Sequence, residues 1–307
     1  MEKIKLIFIG TADIGTEVLE RLSQDDRFKV MLVVTTKDKP AGRKLELTPS
    51  PIKVAADRMR LPIYQPEDIN SEESLEIMRT QGADMMVLMA YGQILKRDTL
   101  EITPYGCLNV HASLLPKYRG ASPIQTALLN QDIETGISLM KMVEQMDAGP
   151  VYDTFKLLIA PEDDSETLTR KIARLTADEI PNALVHIYET NPIPFDQNEN
   201  EVTYVKKINK ERGALNWNDD VRGVDAKIRA LYGWPGTFTF FHGKRLKIIK
   251  AKFEEKPVDR APGTVTREGI TCRNGYIKPT ELQLEGRNIQ SFAGFINGNP
   301  DFVGTKL

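Results

Sequence analysis

Residues 85–89 of this 307-residue chain read Met-Met-Val-Leu-Met, an unbroken apolar run that is typical of a strand buried on both faces. Strands of that kind belong to parallel sheets covered by helices on both sides. Other apolar runs alternate with segments of helical spacing, the runs at 4–9, 30–34 and 61–64 and the helical segments at 14–22, 51–59 and 71–79. This alternation predicts an open, mostly parallel, Rossmann-like α/β sheet.

The pattern changes near residue 190. Residues 191–205 are rich in Pro and Asn and have no hydrophobic period, so we expect a linker there. A helical segment at 221–231 follows, and then short apolar runs separated by Gly, Pro and Asn, at 237–241, 246–251, 263–265, 269–272, 275–277 and 282–284. Many short strands in about 100 residues predict a small β-barrel. The expected domains are therefore 1–190 and 206–307.

Charge is divided unevenly between the two parts. Residues 1–203 contain 22 Lys and Arg against 32 Asp and Glu, a net charge of −10, whereas residues 204–307 contain 19 against 11, a net charge of +8. A basic second domain predicts contact with a polyanion, although lysines that only keep a small domain soluble give the same balance.

Other compositional features narrow the class of protein. The two cysteines, Cys107 and Cys272, are far apart and lack metal-ligand spacing, and no apolar run approaches the length of a membrane span. The N-terminus lacks the apolar stretch and cleavage site of a signal peptide. We expect a cytoplasmic protein without disulfides, a metal or a membrane contact, and by default a monomer.

Asn109 and His111 lie two residues apart at the end of an apolar segment, so in a strand their side chains share one face. In open parallel sheets, ligands bind beyond the carboxyl ends of strands. Asp147 begins a Gly/Pro turn between two extended segments. An amide, an imidazole and a carboxylate suit acyl transfer to an amine, because the first two stabilise an oxyanion and the third accepts a proton. Ordinary loop and turn roles for the same residues stay open.

The segment Gly10-Thr-Ala-Asp-Ile-Gly15 is a weak dinucleotide-binding signal. Ala12 stands where the second glycine of the fingerprint belongs, and no ribose-binding acid ends the second strand. The segment is better interpreted as a tight strand-to-helix turn, which disfavours a nicotinamide oxidoreductase. A further alternative is an RNA-binding protein whose α/β domain has lost catalysis. The presence of Asn109, His111 and Asp147 together argues against it.

The motif Asn-Val-His-Ala-Ser-Leu-Leu-Pro at residues 109–116 resembles that of the folate-dependent formyltransferases. The resemblance covers nearly the whole chain, through IFIGTADIG, KPAGRKLELTPSPIK, MAYGQIL, QMDAGP, WPGTF and APGTV. The segment YRGASPIQ, the loop PAGR and the C-terminal extension narrow it to the members that formylate a tRNA. An OB-like barrel is the fold that this resemblance implies for the second domain.

The resemblance implies a reaction and roles. A formyl group would pass from 10-formyltetrahydrofolate, a co-substrate, to the α-amino group of initiator methionyl-tRNA, with no metal involved. Asn109 and His111 would bind and polarise the formyl oxygen, and Asp147 would pair with His111 and move the proton. Two segments would contact the folate, Ala90, Tyr91, Gly92, Gln93, Ile94 and Leu95 together with Ser113, Leu114, Leu115 and Pro116.

Basic residues are the tRNA contacts that the resemblance implies: Arg43 and Lys44 in the loop 37–48, and Lys206, Lys207, Lys210, Lys244, Arg245, Lys247 and Lys250 in the second domain. The loop departs from the family pattern, because an acid, Glu46, stands where a basic run is usual. Trp234 and Phe238 could stack on bases, but the barrel core is the favoured place for both.

Alternatives within the superfamily remain. The acceptor could be glycinamide ribonucleotide or an amino-sugar nucleotide, or the chain could hydrolyse formylfolate. Residues 204–307 argue against the first, and the segment KYRGASPIQ argues against the second.

Overall fold

The computed structural model describes residues 2–41 and 46–307. The strands are β1 (Ile4–Gly10), β2 (Phe28–Val34), β3 (Lys39–Ala41), β4 (Glu46–Thr48), β5 (Ile63–Tyr64), β6 (Met85–Met89), β7 (Cys107–His111), β8 (Arg119–Gly120), β9 (Glu134–Lys141), β10 (Val151–Leu158), β11 (Tyr204–Val205), β12 (Thr237–Phe241), β13 (Lys244–Glu255), β14 (Ile270–Cys272) and β15 (Gly275–Leu284). The helices are α1 (Thr16–Gln24), α2 (Pro51–Met59), α3 (Glu72–Arg79), α4 (Arg97–Leu100), α5 (Pro123–Leu129), α6 (Ser165–Thr190), α7 (Val221–Ala230) and α8 (Phe292–Gly298).

The chain forms two compact units. The N-terminal unit contains the residues up to Gly120 together with Thr135–Leu158 and Thr169–Val205, and the C-terminal unit contains Ala121–Glu134, Ile159–Leu168 and Lys206–Leu307. The domain boundaries predicted from composition, 1–190 and 206–307, stay a prediction. Within the described residues, no helix combines the length and apolar character that a membrane crossing requires.

The N-terminal unit is built on a seven-stranded sheet in the order β10-β9-β7-β6-β1-β2-β5. Strand β1 pairs in parallel with β2 and β6, and β7 pairs in parallel with β6 and antiparallel with β9. All residues of β6 are buried, as the unbroken apolar run predicts. The mostly parallel α/β sheet is therefore confirmed.

Local capping fixes where two of the surrounding helices begin. The Ser50 side chain accepts a hydrogen bond from the Lys53 amide at 3.0 Å, and Pro51 occupies the first turn of α2. The Ser71 side chain accepts one from the Ser74 amide at 3.2 Å and caps α3. The predicted helices at 51–59 and 71–79 are confirmed.

The C-terminal unit contains an antiparallel, curled sheet in the order β12-β13-β15-β14. Leu246 and Ile248 of β13 are buried whereas Lys247 between them is exposed, which is the alternation of a strand with one face on the core. Helix α7 begins after Asp220, whose carboxylate accepts a hydrogen bond from the Gly223 amide at 2.8 Å.

Two strand predictions in this unit were wrong. The runs at 275–277 and 282–284 are parts of one strand, β15, which continues through Pro279. Pro279 pairs with Ala251 beside a register shift in β13, and a proline without an N–H is tolerated at such an irregularity. Residues 263–265 do not form an extended strand, and Thr264 and Val265 instead make isolated bridges with Lys306 and Ile270.

Tyr91 contributes a buried hydroxyl that has no hydrogen-bond partner among the described residues. Its side chain belongs to the hydrophobic core on one side of the sheet, together with Tyr64, Ile69 and Leu75. Burial raises the pKa of Tyr91 to about 12 from its ordinary value of 10.0.

We expect Tyr91→Phe to leave the free energy of unfolding unchanged or to raise it, because an unpaired buried hydroxyl costs roughly 1–3 kcal/mol. Tyr105→Phe is the matched control, since the Tyr105 hydroxyl donates to the Tyr188 carbonyl at 2.9 Å and its loss should destabilise by about 1 kcal/mol. Urea titration measures both.

The two proteins should also differ in their response to pH. As pH rises from 10 to about 12, Tyr91 ionises in the unfolded chain before it does in the native one, so the wild type loses stability in this range and Tyr91→Phe does not lose this contribution. A marked destabilisation by Tyr91→Phe at neutral pH would contradict the assignment.

Candidate active site

Strand β7, an inner strand of the sheet, carries two buried polar side chains toward its carboxyl end. Asn109 pairs with Leu88 of β6 and with Met140 of β9, and His111 lies opposite Ser138. Asn109 and His111 are each 6% exposed although β7 is otherwise apolar. The predicted placement of both residues on one strand is confirmed.

Asp147 joins this pair from the loop between β9 and β10. Its carboxylate accepts a hydrogen bond from the Gly120 amide at 2.8 Å and a long one from Asn109 Nδ2 at 3.4 Å. His111 Nδ1 lies 3.7 Å from Asp147 Oδ2. The three side chains that the sequence singled out are therefore brought together.

The hydrogen bond on the other side of the imidazole determines how His111 can act. His111 Nε2 lies 2.9 Å from the Tyr118 carbonyl oxygen, and a carbonyl can only accept, so Nε2 carries a proton. Nδ1 is then the nitrogen that can gain or lose a proton, and it faces Asp147. An imidazolium form donates on both sides at once.

The backbone of Asp147 is held in an unusual conformation. Its φ is 50°, in the left-handed region that few residues other than glycine adopt. Gln197 Nε2 donates to the Asp147 carbonyl at 2.8 Å and to the Gly149 carbonyl at 2.7 Å. Gly149 has no room for a side chain, because a Cβ there would lie 1.8 Å from the Lys141 carbonyl oxygen. These contacts fix the turn that presents the carboxylate.

Arg119 is the largest fully buried side chain beside this turn, and its side chain is 1% exposed. Its Nε donates to Gln197 Oε1 at 3.0 Å, and one terminal nitrogen donates to Glu199 at 2.7 Å. The guanidinium carbon lies 6.0 Å from the centre of the Tyr204 ring. Neither Arg119 nor Gln197 is among the site residues predicted from the sequence, and the composition of residues 191–205 carries no signal of a role at the site.

The predicted folate segment 113–116 forms a turn that is held by hydrogen bonds of the Ser113 and Ser138 hydroxyls. Ser113 Oγ donates to the Lys117 carbonyl at 2.6 Å. Ser138 Oγ donates to the Ser113 carbonyl at 2.7 Å and accepts from the Leu115 amide at 2.9 Å. Leu115 is buried, and Leu114 and Pro116 are half-buried. A folate contact by these residues stays a prediction.

The predicted segment 90–95 presents backbone more than side chains. Tyr91 and Leu95 are buried in the hydrophobic core, so their side chains do not face an open site. Ala90 and Gly92 have positive φ, 52° and 96°, and Ile94 is 77% exposed. Backbone groups and Ile94 are what this segment offers to a ligand. The Gln93 side chain is engaged elsewhere, since its Oε1 accepts from the Ile69 amide at 3.0 Å.

A cavity of about 680 Å³ opens beside α4 and the end of β9. It is lined by apolar and charged residues, among them Arg97, Leu100, Ile102, Gly106, Lys141, Met142 and Glu144. The lining segment 141–144 runs directly into the loop of Asp147. None of these cavity residues was predicted to belong to the site.

The predicted tRNA contacts are exposed where the structure describes them. Lys206, Lys207, Lys210 and Lys247 are exposed in the C-terminal unit, whereas Arg43 and Lys44 lie outside the described residues. The Arg245 guanidinium carbon lies 4.1 Å from the centre of the Phe238 ring.

The two aromatic residues of this unit differ in burial. Phe238 is 8% exposed, as the favoured core placement predicts. Trp234 is 54% exposed, so the core placement was wrong for it. The reason is that Trp234 lies in the turn between α7 and β12. No group of three or more His, Cys, Asp and Glu among residues 2–41 and 46–307 is arranged to hold a metal ion.

Comparison with known proteins gives the family. Residues 2–184 match the formyl transferase family, and residues 207–300 match the formyl transferase C-terminal domain. The chain belongs to the formyl transferase family. Asn109, His111 and Asp147 all lie within the match to the formyl transferase family itself.

Members of the formyl transferase family resemble this chain along its whole length. It is 40% identical to the methionyl-tRNA formyltransferase of Dictyoglomus thermophilum, over 99% of this chain and 100% of that protein. It is 36% identical to the methionyl-tRNA formyltransferase of Bdellovibrio bacteriovorus, over 100% and 99%.

Solved structures show the same fold. An N-formyltransferase from Helicobacter canadensis, solved with folinic acid and dTDP-3-aminofucose, has a TM-score of 0.67 at 19% identity and covers 89% of this chain and 97% of its own. The methionyl-tRNA formyltransferase from Clostridium thermocellum has a TM-score of 0.58 at 16% identity and covers 82% and 94%.

We expect Gly149→Ala to lower the free energy of unfolding by about 1–3 kcal/mol, since the added methyl collides with the Lys141 backbone. Gly298→Ala is the matched control, because a Cβ at Gly298 meets no atom within 4 Å. Differential scanning calorimetry of both variants measures the difference. Equal melting temperatures would show that the Asp147 turn is looser than its geometry indicates.

Proposed function

We propose that this protein transfers a formyl group from 10-formyltetrahydrofolate to the α-amino group of initiator methionyl-tRNA. The observation that carries the proposal is the convergence of Asn109, His111 and Asp147 at the carboxyl end of β7. Membership of the formyl transferase family and the full-length relatives named methionyl-tRNA formyltransferase support the choice of reaction and acceptor.

In the proposed reaction each of the three groups has its own step. The free amine attacks the formyl carbon, so that a new C–N bond forms and the formyl oxygen becomes an oxyanion. The Asn109 amide and a His111 Nδ1–H stabilise that oxyanion by hydrogen bonding. Asp147 accepts the proton that the attacking amine loses. The oxyanion then re-forms the carbonyl as the C–N10 bond of the folate breaks, and N10 takes up the proton from Asp147. No nucleophilic side chain is needed.

The donor would bind beside these residues. We assign the folate to the backbone of segment 90–95, to the turn 113–116 and to the cavity beside α4. The cavity combines apolar Leu100 and Met142 with the cations Arg97 and Lys141 and the acids Glu101 and Glu144, and Arg97 Nε donates to Glu101 at 2.9 Å. Apolar walls suit a flat ring system, and Lys141 is the cation that suits a carboxylate of the glutamate tail.

The tRNA would bind through the basic residues of the C-terminal unit, Lys206, Lys207, Lys210 and Lys247, together with Arg43 and Lys44. In this proposal the protein acts in the cytoplasm as a monomer, with folate and initiator methionyl-tRNA as its partners.

The decisive experiment offers 10-formyltetrahydrofolate with charged initiator methionyl-tRNA, glycinamide ribonucleotide or an amino-sugar nucleotide in separate reactions. We expect formyl transfer to the tRNA alone. Transfer to a nucleotide acceptor, or release of formate without transfer, would overturn the proposal.

Asn109→Ala should lower kcat by about 10²–10³, the usual effect of removing one oxyanion donor, while tRNA binding changes little. Asn200→Ala is the control, because Asn200 is an exposed amide outside the site. Single-turnover kinetics and a filter-binding titration separate the two effects. Wild-type turnover in Asn109→Ala would remove Asn109 from the mechanism.

Lys247→Ala should weaken tRNA binding and reduce the slope of log affinity against log salt by about one unit, because a phosphate contact releases counterions. Lys29→Ala replaces an exposed lysine of β2 and should leave the slope unchanged. Binding titrations between about 50 and 200 mM salt measure the slopes. Identical slopes for Lys247→Ala and wild type would place the tRNA on another surface.

A further inference from the structure

We infer that Gln197 is a positioning residue for Asp147, and that Arg119 in turn orients the Gln197 side chain. The inference rests on the proposed function and names residues beyond the three that we place at the reacting atoms.

The Gln197 amide bridges the two ends of that turn. Its nitrogen donates to the carbonyls of both Asp147 and Gly149, at 2.8 and 2.7 Å. One side chain therefore spans the segment in which Asp147 adopts a φ of 50°. A left-handed conformation at a residue other than glycine is strained and persists where the surroundings determine it.

The orientation of the Gln197 amide is determined by Arg119. A guanidinium can only donate, so the Gln197 oxygen must face Arg119 Nε at 3.0 Å. The amide nitrogen then has to point at the two carbonyls. If the amide turned over, an NH₂ group would face the guanidinium and an oxygen would face two carbonyl oxygens, leaving every partner unsatisfied.

Arg119 is itself fixed on several sides. Glu199, 72% exposed, accepts from its guanidinium at 2.7 Å and supplies the countercharge that a buried cation requires. The Arg119 amide donates to the Thr203 carbonyl at 2.9 Å, and β8 pairs with β11.

Gly120, the next residue, contacts Asp147 directly. Its amide donates to the Asp147 carboxylate at 2.8 Å, and a Cβ at Gly120 would lie 2.3 Å from the Val205 carbonyl oxygen. One short strand, β8, thus reaches Asp147 directly through its backbone and indirectly through Arg119 and Gln197.

The placement of Asp147 matters more for turnover than for substrate affinity. Its carboxylate accepts a proton in the proposed reaction, and a shift of about 1 Å in a catalytic group can slow a reaction 10²-fold. The Gln197 amide bonds to Asp147, Gly149 and Arg119, none of which is a residue proposed to hold folate or tRNA. The expected signature is a fall in kcat with nearly unchanged KM values.

Two substitutions of Gln197 test whether its amide is the cause of such a fall in kcat. Gln197→Met keeps the length of the side chain but removes its donor and acceptor. Gln197→Glu keeps an acceptor for Arg119 but turns a carboxylate oxygen toward the two carbonyls. Asn200→Asp makes the same amide-to-acid change at an exposed position of the same segment and is the matched control.

We expect both Gln197 variants to lower kcat by about 10- to 100-fold and to change either KM by less than about threefold. The pH profile of kcat should shift in both, because it reports the groups that exchange protons in the enzyme–substrate complex. Arg119→Lys combined with Gln197→Met should be no slower than the slower single variant, because the two residues act as one unit.

Hydrogen exchange tests the geometry without any substrate. The Gly120 amide should exchange about tenfold faster in both Gln197 variants than in wild type or Asn200→Asp, since its acceptor has moved. If Gln197→Met does not fold, Gln197→Glu, which keeps the Arg119 contact, carries the test.

The outcomes are distinguishable. Wild-type kcat in both Gln197 variants, or a lower kcat with an unchanged pH profile and Gly120 exchange, would overturn the positioning role. A wild-type protein that formylates no tRNA would instead overturn the proposed function, and Gly120 exchange would still decide whether Gln197 holds the turn.

Discussion

The carboxylate of Asp147 is half-buried, with a side chain that is 15% exposed, and the polar groups at the end of β7 are organised around satisfying it. An ionised carboxylate that is buried without partners costs several kcal/mol, so the chain supplies a backbone amide from Gly120, the side-chain amide of Asn109 and a nearby imidazole from His111. The groups that stabilise the carboxylate also fix its orientation. A preorganised charge of this kind would need little rearrangement during the proposed reaction.

The segment after α6 returns from far along the sequence and pairs with parts of the N-terminal unit beside the end of β7. Residues after α6 reach back so that β11 pairs with β8, and Phe195 exchanges backbone hydrogen bonds with Val151 at 2.9 Å. A stretch whose composition resembles a linker thus supplies the amide of Gln197 to the active-site turn. The irregular backbone at Asp147 and Gly149 leaves two carbonyls free to accept from this amide, whereas a regular strand would already have paired them.

The basic character of the C-terminal unit is compatible with a packed core because of the two-residue period of a strand. In β13, Leu246 and Ile248 point into the sheet interior while Arg245 and Lys247 point outward. Arg245 lies over the Phe238 ring, so part of its apolar stem is covered while its charge stays accessible. The basic side chains on the exposed face of β13 can therefore contact a polyanion without a charge being placed in the core.

The sequence by itself determined the features that depend on near neighbours. The cap and proline that begin α2 at Ser50 and Pro51, the buried strand β6 and the shared face of Asn109 and His111 all follow from spacing along the chain, because capping and strand periodicity act over a few residues. Only the tertiary structure decided that Gln197 supports Asp147, 50 residues away, and that Arg119 orients Gln197, 78 residues away. Such contacts leave no local pattern, since they arise when the packed sheet brings distant loops together and each buried polar group must find a partner there.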